Sequence, residues 1–325
     1  MSKKVNKLTS GSQHLNAWEK VCYYTHFATL YLLSLLPFCV LYAIADFIYL
    51  ILYKVAGYRV KTVRQNLRES FPDKSDEEIR QIERGFYHYL SDYVVETVKL
   101  MSMSKETMRK RMVFKNADII NRSLLAGQSV GVYLGHYCNW EWITGIALYL
   151  TDKCVCTQIY HVMESKISDR LFLYIRTRMG TVNISMAESI RRVAEYNAAK
   201  QPIIVGFISD QTPFWNNIHY WTDFLNHDTP VLSGSERICR KYNYAAVYLD
   251  IQRVKRGWYE ATVVPLTSSA RSEEEFAITE RYFRALEKNI LRQPQYWLWT
   301  HKRWKRTREE FNRRLDPVTG KIDLS

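Results

Sequence analysis

The sequence lacks the short motifs that mark several common enzyme classes. It contains no P-loop pattern G-x4-G-K-[ST], no dinucleotide-binding pattern G-x-G-x-x-G and no zinc-protease pattern H-E-x2-H. In addition, no G-x-S-x-G elbow closes a predicted strand. P-loop nucleotide hydrolysis, Rossmann-type dehydrogenation, zinc proteolysis and serine hydrolysis therefore have no support in the sequence.

Paired cysteines are also missing. The six cysteines stand at positions 22, 39, 138, 154, 156 and 239, and none forms a C-x2-C pair. This spacing predicts reduced, mostly buried thiols in a protein that faces the cytosol, and no metal site. We find no internal repeat and no low-complexity linker, so one folded domain with an N-terminal anchor is the simplest organisation.

What the sequence has in excess is positive charge and aromatic side chains. Its 46 Lys and Arg against 33 Asp and Glu give a formal net charge of +13, and it holds 9 Trp, 23 Tyr and 13 Phe. The charge favours an anionic partner, which could be a phospholipid surface, a nucleic acid or an acidic protein. No nucleic-acid-binding motif accompanies it, so we predict no nucleic-acid partner.

A long apolar stretch runs from Phe27 to Tyr53, interrupted mainly by Pro37 and Asp46. It is long enough to span a bilayer, and it begins too late and runs too long for a signal peptide. A span kinked at Pro37, an interfacial helical hairpin and a buried pair of core helices all fit the pattern. Basic residues flank both ends almost equally, with a slight lean towards a cytoplasmic catalytic part.

Beyond this stretch the pattern becomes helical and then alternates between strands and helices. Residues 58–110 read as helices, and Ser75 with Glu78 predicts a capping box at the start of a helix over 76–101. The predicted strands are 130–134, 155–159, 181–184, 203–208, 245–252 and 259–265, and the predicted helices between them are 139–150, 165–180, 187–199 and 232–242. The fold class is therefore α/β, a mixed sheet flanked by helices.

These patterns predict five segments along the chain. They are a polar segment 1–26, a membrane anchor 27–53, a helical lead-in 54–112, an α/β domain 113–310 and a C-terminal tail 311–325.

The segment Ser129–Trp142, SVGVYLGHYCNWEW, carries the first candidate site. An apolar strand ends at Gly135, His136 follows, and Asn139 is placed to cap a helix that contains Glu141. With His136 in the turn and Glu141 in the first helical turn, the carboxylate could hold one ring nitrogen protonated and leave the other as a general base. A hydrogen-bonded structural histidine at a strand end fits the bare H-x4-E pattern equally well.

Three further segments are candidates for binding. Asp210 and Gln211 follow a strand directly and would contact a substrate there or form a turn before Pro213. Arg176 and Arg178 end a helix, where arginine binds phosphate or complements the helix C-terminus. The segment 295–309, QYWLWTHKRWKRTRE, suits a membrane surface, an anionic head group or a solvated basic helix, through Trp299, Lys302, Arg303, Trp304 and Lys305.

Taken together, the segments NLRESFPDKSDEE, GHYCNWEW, IRTRMG, ISDQTP and QYWLWTHKRWK resemble the late acyltransferases of lipid A biosynthesis. The resemblance covers nearly the whole chain and implies a glycerol-phosphate-acyltransferase-like fold. It implies transfer of a fatty acyl group from acyl carrier protein to a hydroxyl of a phosphorylated glucosamine lipid, without a covalent acyl-enzyme or a cofactor of the enzyme's own. The donor is then the phosphopantetheine thioester of acyl carrier protein.

The resemblance also assigns roles to residues. It implies that His136 is the general base, that Glu141 is its orienting partner, and that Arg176, Asp210 and Gln211 line the site. Arg176 and backbone N–H groups near Gly135 are the hypotheses for oxyanion donors. The implied location is the bacterial inner membrane, with the catalytic domain facing the cytoplasm.

Other functions remain open at the level of the sequence. An acyltransferase for another membrane lipid, such as an amino-acid lipid or a lysophospholipid, would use the same chemistry. A membrane-anchored thioesterase or other hydrolase would use water in place of the acceptor, and a non-catalytic membrane-surface binder would need only the basic charge.

Overall fold

The computed structural model describes residues 14–324 of the chain. Three of the basic residues that precede the apolar stretch, Lys3, Lys4 and Lys7, lie outside the described residues. The strands are β1 Met112–Lys115, β2 Val130–Leu134, β3 Val155–Tyr160, β4 Val182–Ser185, β5 Ile203–Ile208, β6 Tyr220–Phe224, β7 His227–Val231, β8 Ala245–Lys255 and β9 Trp258–Thr267.

The helices lie before the sheet and between its strands. They are α1 Ala17–Leu35, α2 Phe38–Tyr49, α3 Val60–Ser70, α4 Asp76–Lys99, α5 Lys105–Arg111, α6 Ala117–Leu125, α7 Lys166–Thr177, α8 Ser189–Ala198, α9 Gly234–Tyr242, α10 Ala277–Arg292 and α11 Arg308–Arg314. Ser75 and Glu78 form the predicted capping box at the start of α4.

The core of the molecule is a seven-stranded sheet in the order β1-β9-β8-β2-β5-β3-β4. All neighbouring pairs are parallel except β8 and β9, which are antiparallel. The central strand β2 is buried at every position, as expected for a parallel strand covered by helices on both faces. The predicted mixed α/β sheet flanked by helices is confirmed.

Several elements were not predicted from the sequence. β1 is only four residues long, and β6 and β7 form a separate two-stranded hairpin. The helix predicted over residues 139–150 is instead a short 3-10 helix, Trp142–Leu148. Its N-cap residue is Glu141 and not Asn139. Asn139 accepts the Trp142 backbone N–H at 3.0 Å, and the Trp142 indole N–H donates to the Glu96 carbonyl.

The N-terminal apolar stretch forms two helices rather than one kinked segment. α1 begins ten residues before Phe27, inside the segment predicted to be polar, and Pro37 separates it from α2. α2 continues as a π-helical turn, Leu50–Val55. Among the described residues, Phe38–Val55 is the one helix long and apolar enough to cross a membrane, which by itself is weak evidence for a span.

Candidate active site

The pairing of β2 with β5 brings the first candidate residues together. Leu134 at the end of β2 lies opposite Ile208 at the end of β5. His136 and Asp210 each stand two residues beyond this pair, so both emerge at the carboxyl edge of the sheet. Ligand sites of open α/β sheets lie at this edge, and the register alone places an imidazole beside a carboxylate.

Asp210 holds His136 through two hydrogen bonds. The ring Nδ1 lies 2.6 Å from Asp210 Oδ1, and the His136 backbone N–H donates to Asp210 Oδ2 at 2.8 Å. The indole Nε1–H of Trp297 donates to the same Oδ2 at 2.9 Å. Both carboxylate oxygens are therefore fixed, and the ring is tied to the backbone turn that follows Gly135.

The surroundings of Asp210 keep its carboxyl group ionised. Burial by itself would raise the pKa, but the charge and hydrogen bonds of His136 and the indole of Trp297 lower the pKa of Asp210 to about 2. An ionised Asp210 accepts a hydrogen bond from the Nδ1–H of His136, which leaves Nε2 with its lone pair free. Gln211 Nε2 lies 3.3 Å from His136 Nε2, and it occupies the position that a hydroxyl donor would take.

Glu141 does not contact His136, and the expected dyad geometry is wrong in this respect. Its carboxylate instead forms a bidentate ion pair with Arg176, at 2.6 and 2.9 Å. The cause is the short 3-10 helix after Asn139, which leaves Glu141 buried and directed towards α7. The partner that the imidazole does have, Asp210, was predicted only as a substrate-binding residue. A catalytic role for Glu141 stays a prediction.

Two aromatic rings, Trp140 and Tyr93, lie close to His136 and Glu141. The Trp140 ring stacks on Tyr93 with centroids 4.1 Å apart and meets the His136 ring edge-on at 5.2 Å. Burial, followed by the charge of Glu141, raises the pKa of Tyr93 well above its usual value. Tyr93 is therefore a neutral phenol beside Glu141, and the Trp140 ring separates it from the imidazole.

The C-terminal segment completes the site from the opposite side. His136, Asp210 and Gln211 line a small depression together with Trp297, Leu298 and His301. The last three residues were not predicted as site residues, although they lie in the segment QYWLWTHKRWK that carries part of the resemblance. The segment could therefore have been assigned to the site from the resemblance. Its aromatic and basic composition led instead to the prediction that it binds a membrane surface.

That interpretation is wrong for the two residues at the centre of the segment. Trp299 and Arg303 are completely buried, so neither reaches a membrane surface. Trp299 packs edge-on against Trp297 and Phe71, with centroids 4.8 and 5.8 Å apart, and Asn66 of α3 donates to the Trp299 carbonyl. Trp304 is half-buried on His227, whereas Lys302 and Lys305 are exposed.

Arg303 is a buried cation close to the site. Its Nη2 donates to the Pro230 carbonyl at 2.7 Å, while Nε and Nη1 have no hydrogen-bond partner among residues 14–324. The pKa of Arg303 is lowered from 12.5 to about 10. Burial lowers it, and the negative charge of Asp210 opposes part of this shift. Arg303 is therefore protonated at neutral pH, and its charge favours the ionised form of Asp210.

Two other sequence patterns, at Arg178 and at residues 127–131, lie outside the group of side chains around His136. Arg178 donates to the Met103 carbonyl at 3.0 Å and does not join the charged groups described above, so substrate binding by Arg178 stays a prediction. The letters GQSVG at 127–131 match G-x-S-x-G, but Ser129 stands before β2, where its hydroxyl accepts the Ile203 N–H. It therefore forms no elbow after a strand.

A larger surface groove follows α3, lined by Val60, Lys61, Arg64, Gln65, Arg68 and Glu69. Two of its basic groups are already paired, Arg64 with Glu83 and Arg68 with Asp76. No imidazole lies among its lining residues, and we therefore place the chemistry at His136.

The geometry can be compared with known protein families. A family model for bacterial lipid A biosynthesis acyltransferases matches residues 8–306. The chain belongs to this family. No curated protein sequence matches the chain significantly. Family membership confirms the resemblance seen in the sequence and makes the protein an acyltransferase of bacterial lipid A synthesis, with a lipid acceptor.

In this acyltransferase, Gly135 is required for the close approach of α10 to the site. A Cβ atom at this position would lie 2.6 Å from Leu286 Cδ1 and 3.2 Å from Asp210 Oδ2. We expect Gly135→Ala to destabilise the fold by about 1–3 kcal/mol through overpacking and to lower activity by displacing Asp210. Urea unfolding and an activity assay measure the two effects.

Gly234→Ala is the matched control, because no atom lies within 4 Å of a Cβ built there. The double variant Gly135→Ala/Leu286→Ala should regain part of the activity. Wild-type stability and activity in Gly135→Ala would contradict the packing argument.

His301 makes the stability of the acyltransferase sensitive to acid. Its Nε2 accepts the Thr212 backbone N–H at 3.2 Å, and burial, followed by the charge of Arg303, lowers its pKa from 6.5 to about 4. The unfolded chain therefore takes up this proton first. The free energy of unfolding should fall by as much as about 3 kcal/mol as the pH falls from 6.5 to 4.

Urea unfolding of wild type and His301→Asn over this pH range tests the linkage. The variant should show a smaller dependence on pH, and His219→Asn, at an exposed position, should match wild type. Equal slopes for wild type and His301→Asn would refute this role of His301.

Proposed function

We propose that the protein transfers a fatty acyl group from the thioester of acyl carrier protein to a hydroxyl of a phosphorylated glucosamine lipid, a precursor of lipid A. His136 is the general base, and Asp210 is the carboxylate that orients it. The observation that carries this proposal is the 2.6 Å contact between His136 Nδ1 and Asp210 Oδ1. It directs Nε2 towards the place where an acceptor hydroxyl would lie.

The reaction follows from this orientation. The acceptor hydroxyl displaces the Gln211 amide and donates to His136 Nε2, which takes the proton as the oxygen attacks the thioester carbon. The tetrahedral intermediate collapses with cleavage of the carbon–sulfur bond, and the imidazolium returns the proton to the leaving thiolate. The products are the acylated lipid and the free thiol of the phosphopantetheine arm, and no acyl-enzyme forms.

Two of the backbone N–H groups near Gly135 already have acceptors and are not free to bind the oxyanion. The backbone N–H of His136 is used by Asp210, and that of Cys138 donates to the Tyr296 carbonyl at 2.9 Å. Arg176 engages Glu141 through Nε and Nη2, and its Nη1 is not part of that pair. We therefore favour Arg176 over the backbone near Gly135, with Glu141 as the residue that positions the guanidinium.

Charge supports the two proposed partners. Acyl carrier protein is acidic and the acceptor carries phosphate, so the net charge of +13 favours association with both. Lys302 and Lys305 are exposed in the segment that lines the site, where they would contact a phosphate head group. The proposed location is the inner membrane, with the site on the cytoplasmic side, where acyl carrier protein is found.

Acyl transfer with purified protein tests the proposal. Labelled acyl carrier protein is incubated with an under-acylated phosphoglucosamine lipid, with a lysophospholipid, or without acceptor. We expect labelled lipid A precursor to accumulate only with the first acceptor. Transfer to the lysophospholipid alone would favour an acyltransferase for another membrane lipid, and fatty acid release without acceptor would favour a hydrolase.

A further inference from the structure

One face of α2 is apolar and exposed although the opposite face is buried. Leu41 and Ala45 are fully buried at a spacing of four residues. Val40, Phe47, Leu50 and Ile51 lie on the other side, with 40 %, 62 %, 49 % and 42 % of their surfaces exposed. An amphipathic helix with its polar contacts inside the protein and its apolar stripe outside needs an apolar partner.

The buried side of α2 is attached to α4 along its whole length. At the N-terminal end, Lys99 lies over the Phe38 ring, 5.3 Å from its centroid. One turn on, the Tyr42 hydroxyl donates to Glu96 at 2.9 Å. Because position 38 meets 99 and position 42 meets 96, the two helices run antiparallel.

The same pairing continues to the end of the π-helical turn. Arg256 bridges Asp46 of α2 and Asp92 of α4, at 2.6 and 2.5 Å. Further along, the Tyr49 ring stacks on His88 with centroids 3.6 Å apart. The last contact is a 2.8 Å hydrogen bond from Tyr53 to Glu83.

These contacts are incompatible with a helix that crosses the bilayer. A span would require α2 and its π-helical turn to leave α4, or would carry Glu83, Asp92, Glu96 and Arg256 into the hydrocarbon. Charged side chains at that depth are expensive, and membrane proteins avoid them unless they serve a function. A helix lying in the interface keeps every contact and buries only the outer stripe.

α1 extends the exposed apolar surface on the other side of Pro37. Its exposed apolar residues are Trp18, Val21, Tyr24, Leu32 and Leu35, each more than half exposed. Lys99 stabilises the turn between α1 and α2 by donating to the carbonyls of Ser34 and Leu36 at 2.8 and 2.9 Å. α1 is also tied to α7, since Phe27 packs edge-on against Tyr174 at 4.8 Å.

We propose that Ala17–Val55 lies flat in one leaflet of an anionic phospholipid bilayer and does not span it. Exposed Lys20 lies near the start of this segment, and exposed Lys54, Arg59 and Lys61 lie at or just beyond its end, as expected for attraction to anionic head groups. On the inner side of α2, Phe38 meets Trp142 edge-on at 6.2 Å, so α2 packs against the segment that carries the site.

The sidedness of two cysteines tests the topology. Exposed Lys20 and Lys61 are each replaced by cysteine in separate proteins. Cys22, Cys39 and Cys154 are changed to serine in both proteins. We expect an impermeant maleimide to label both positions in inside-out inner-membrane vesicles and neither in right-side-out vesicles. Labelling of the two positions from opposite sides would overturn the proposal.

Vesicle binding tests the role of the outer stripe and does not depend on acyl transfer. Phe47→Glu should weaken binding of the full chain to phosphatidylglycerol-containing vesicles about tenfold or more, as expected for losing one buried aromatic side chain. Ile190→Glu is the matched control, because Ile190 is 69 % exposed on α8, and its binding should stay within about twofold of wild type. Melting curves confirm that both variants fold.

Equal binding by both variants would overturn the proposal. A change of oligomeric state in Phe47→Glu, with vesicle binding intact, would also overturn it, since a second copy of the chain would then cover the stripe. The maleimide labelling and the vesicle binding could come out as expected while no acyl transfer is detected. That result would refute the proposed function but not the proposed membrane topology.

Discussion

His136→Ala should lower acyl transfer at least about a hundredfold, because the variant has no group at this position that can take the proton of the acceptor hydroxyl. The loss should lie mainly in kcat, since the imidazole acts when the hydroxyl attacks and contributes little to holding the acyl chain. The measurement is steady-state transfer from acyl carrier protein to the glucosamine lipid for both proteins.

His219→Ala is the matched control for this experiment. His219 is exposed and stands before β6, outside the set of residues that line the site, so its removal should leave transfer unchanged. The proteins should have the same melting temperature. Equal transfer by wild type and His136→Ala would show that His136 is a structural histidine at a strand end.

Asp210→Asn should lower kcat about a thousandfold or more, since the corresponding change in a serine-protease triad lowers kcat about ten-thousandfold. The amide can donate to Nδ1, so the ring proton moves to Nε2, and the base loses the lone pair that it needs. The side chain keeps its size, and the hydrogen bond from Trp297 can be kept through the amide oxygen. KM should therefore change much less than kcat.

Asp228→Asn provides the comparison, because it removes an exposed carboxylate paired with Arg308 at 2.5 Å. Exposed ion pairs contribute little to stability, and transfer should stay near the wild-type rate. If Asp210→Asn transfers acyl groups as fast as wild type, Asp210 does not orient the base. A large loss in Glu141→Gln together with a small loss in Asp210→Asn would restore the dyad expected from the sequence.

Most of the sheet could be predicted from the sequence because its strands are short continuous apolar runs. β2 and β5 were predicted at their observed ends, and β8 and β9 within a few residues. Strands buried on both faces have this pattern. β1 was missed because four residues give too little periodicity, and the β6–β7 hairpin was missed because its residues are mostly polar or aromatic.

The sequence identified the histidine of the candidate site but not the carboxylate that contacts it. His136 stood out because it follows a strand and a glycine, but its partner was assigned by distance along the chain. Glu141 is five residues away in sequence and contacts Arg176, whereas Asp210 is 74 residues away and contacts the imidazole. Sequence spacing cannot anticipate such a contact, because it depends on which strands are neighbours in the sheet.

Four features of this protein follow from its sequence alone: an α/β sheet, an apolar N-terminal segment, a histidine at the end of a strand and a resemblance to the lipid A acyltransferases. The first three features are patterns of consecutive residues, and the family resemblance rests on several such local segments. Three further results required the three-dimensional arrangement of the chain. They are the contact of Asp210 with His136, the burial of Trp299 and Arg303 beside the site, and the packing of α2 along α4. These three results depend on strand order and helix packing, which bring distant segments together and are set by the burial of the whole core.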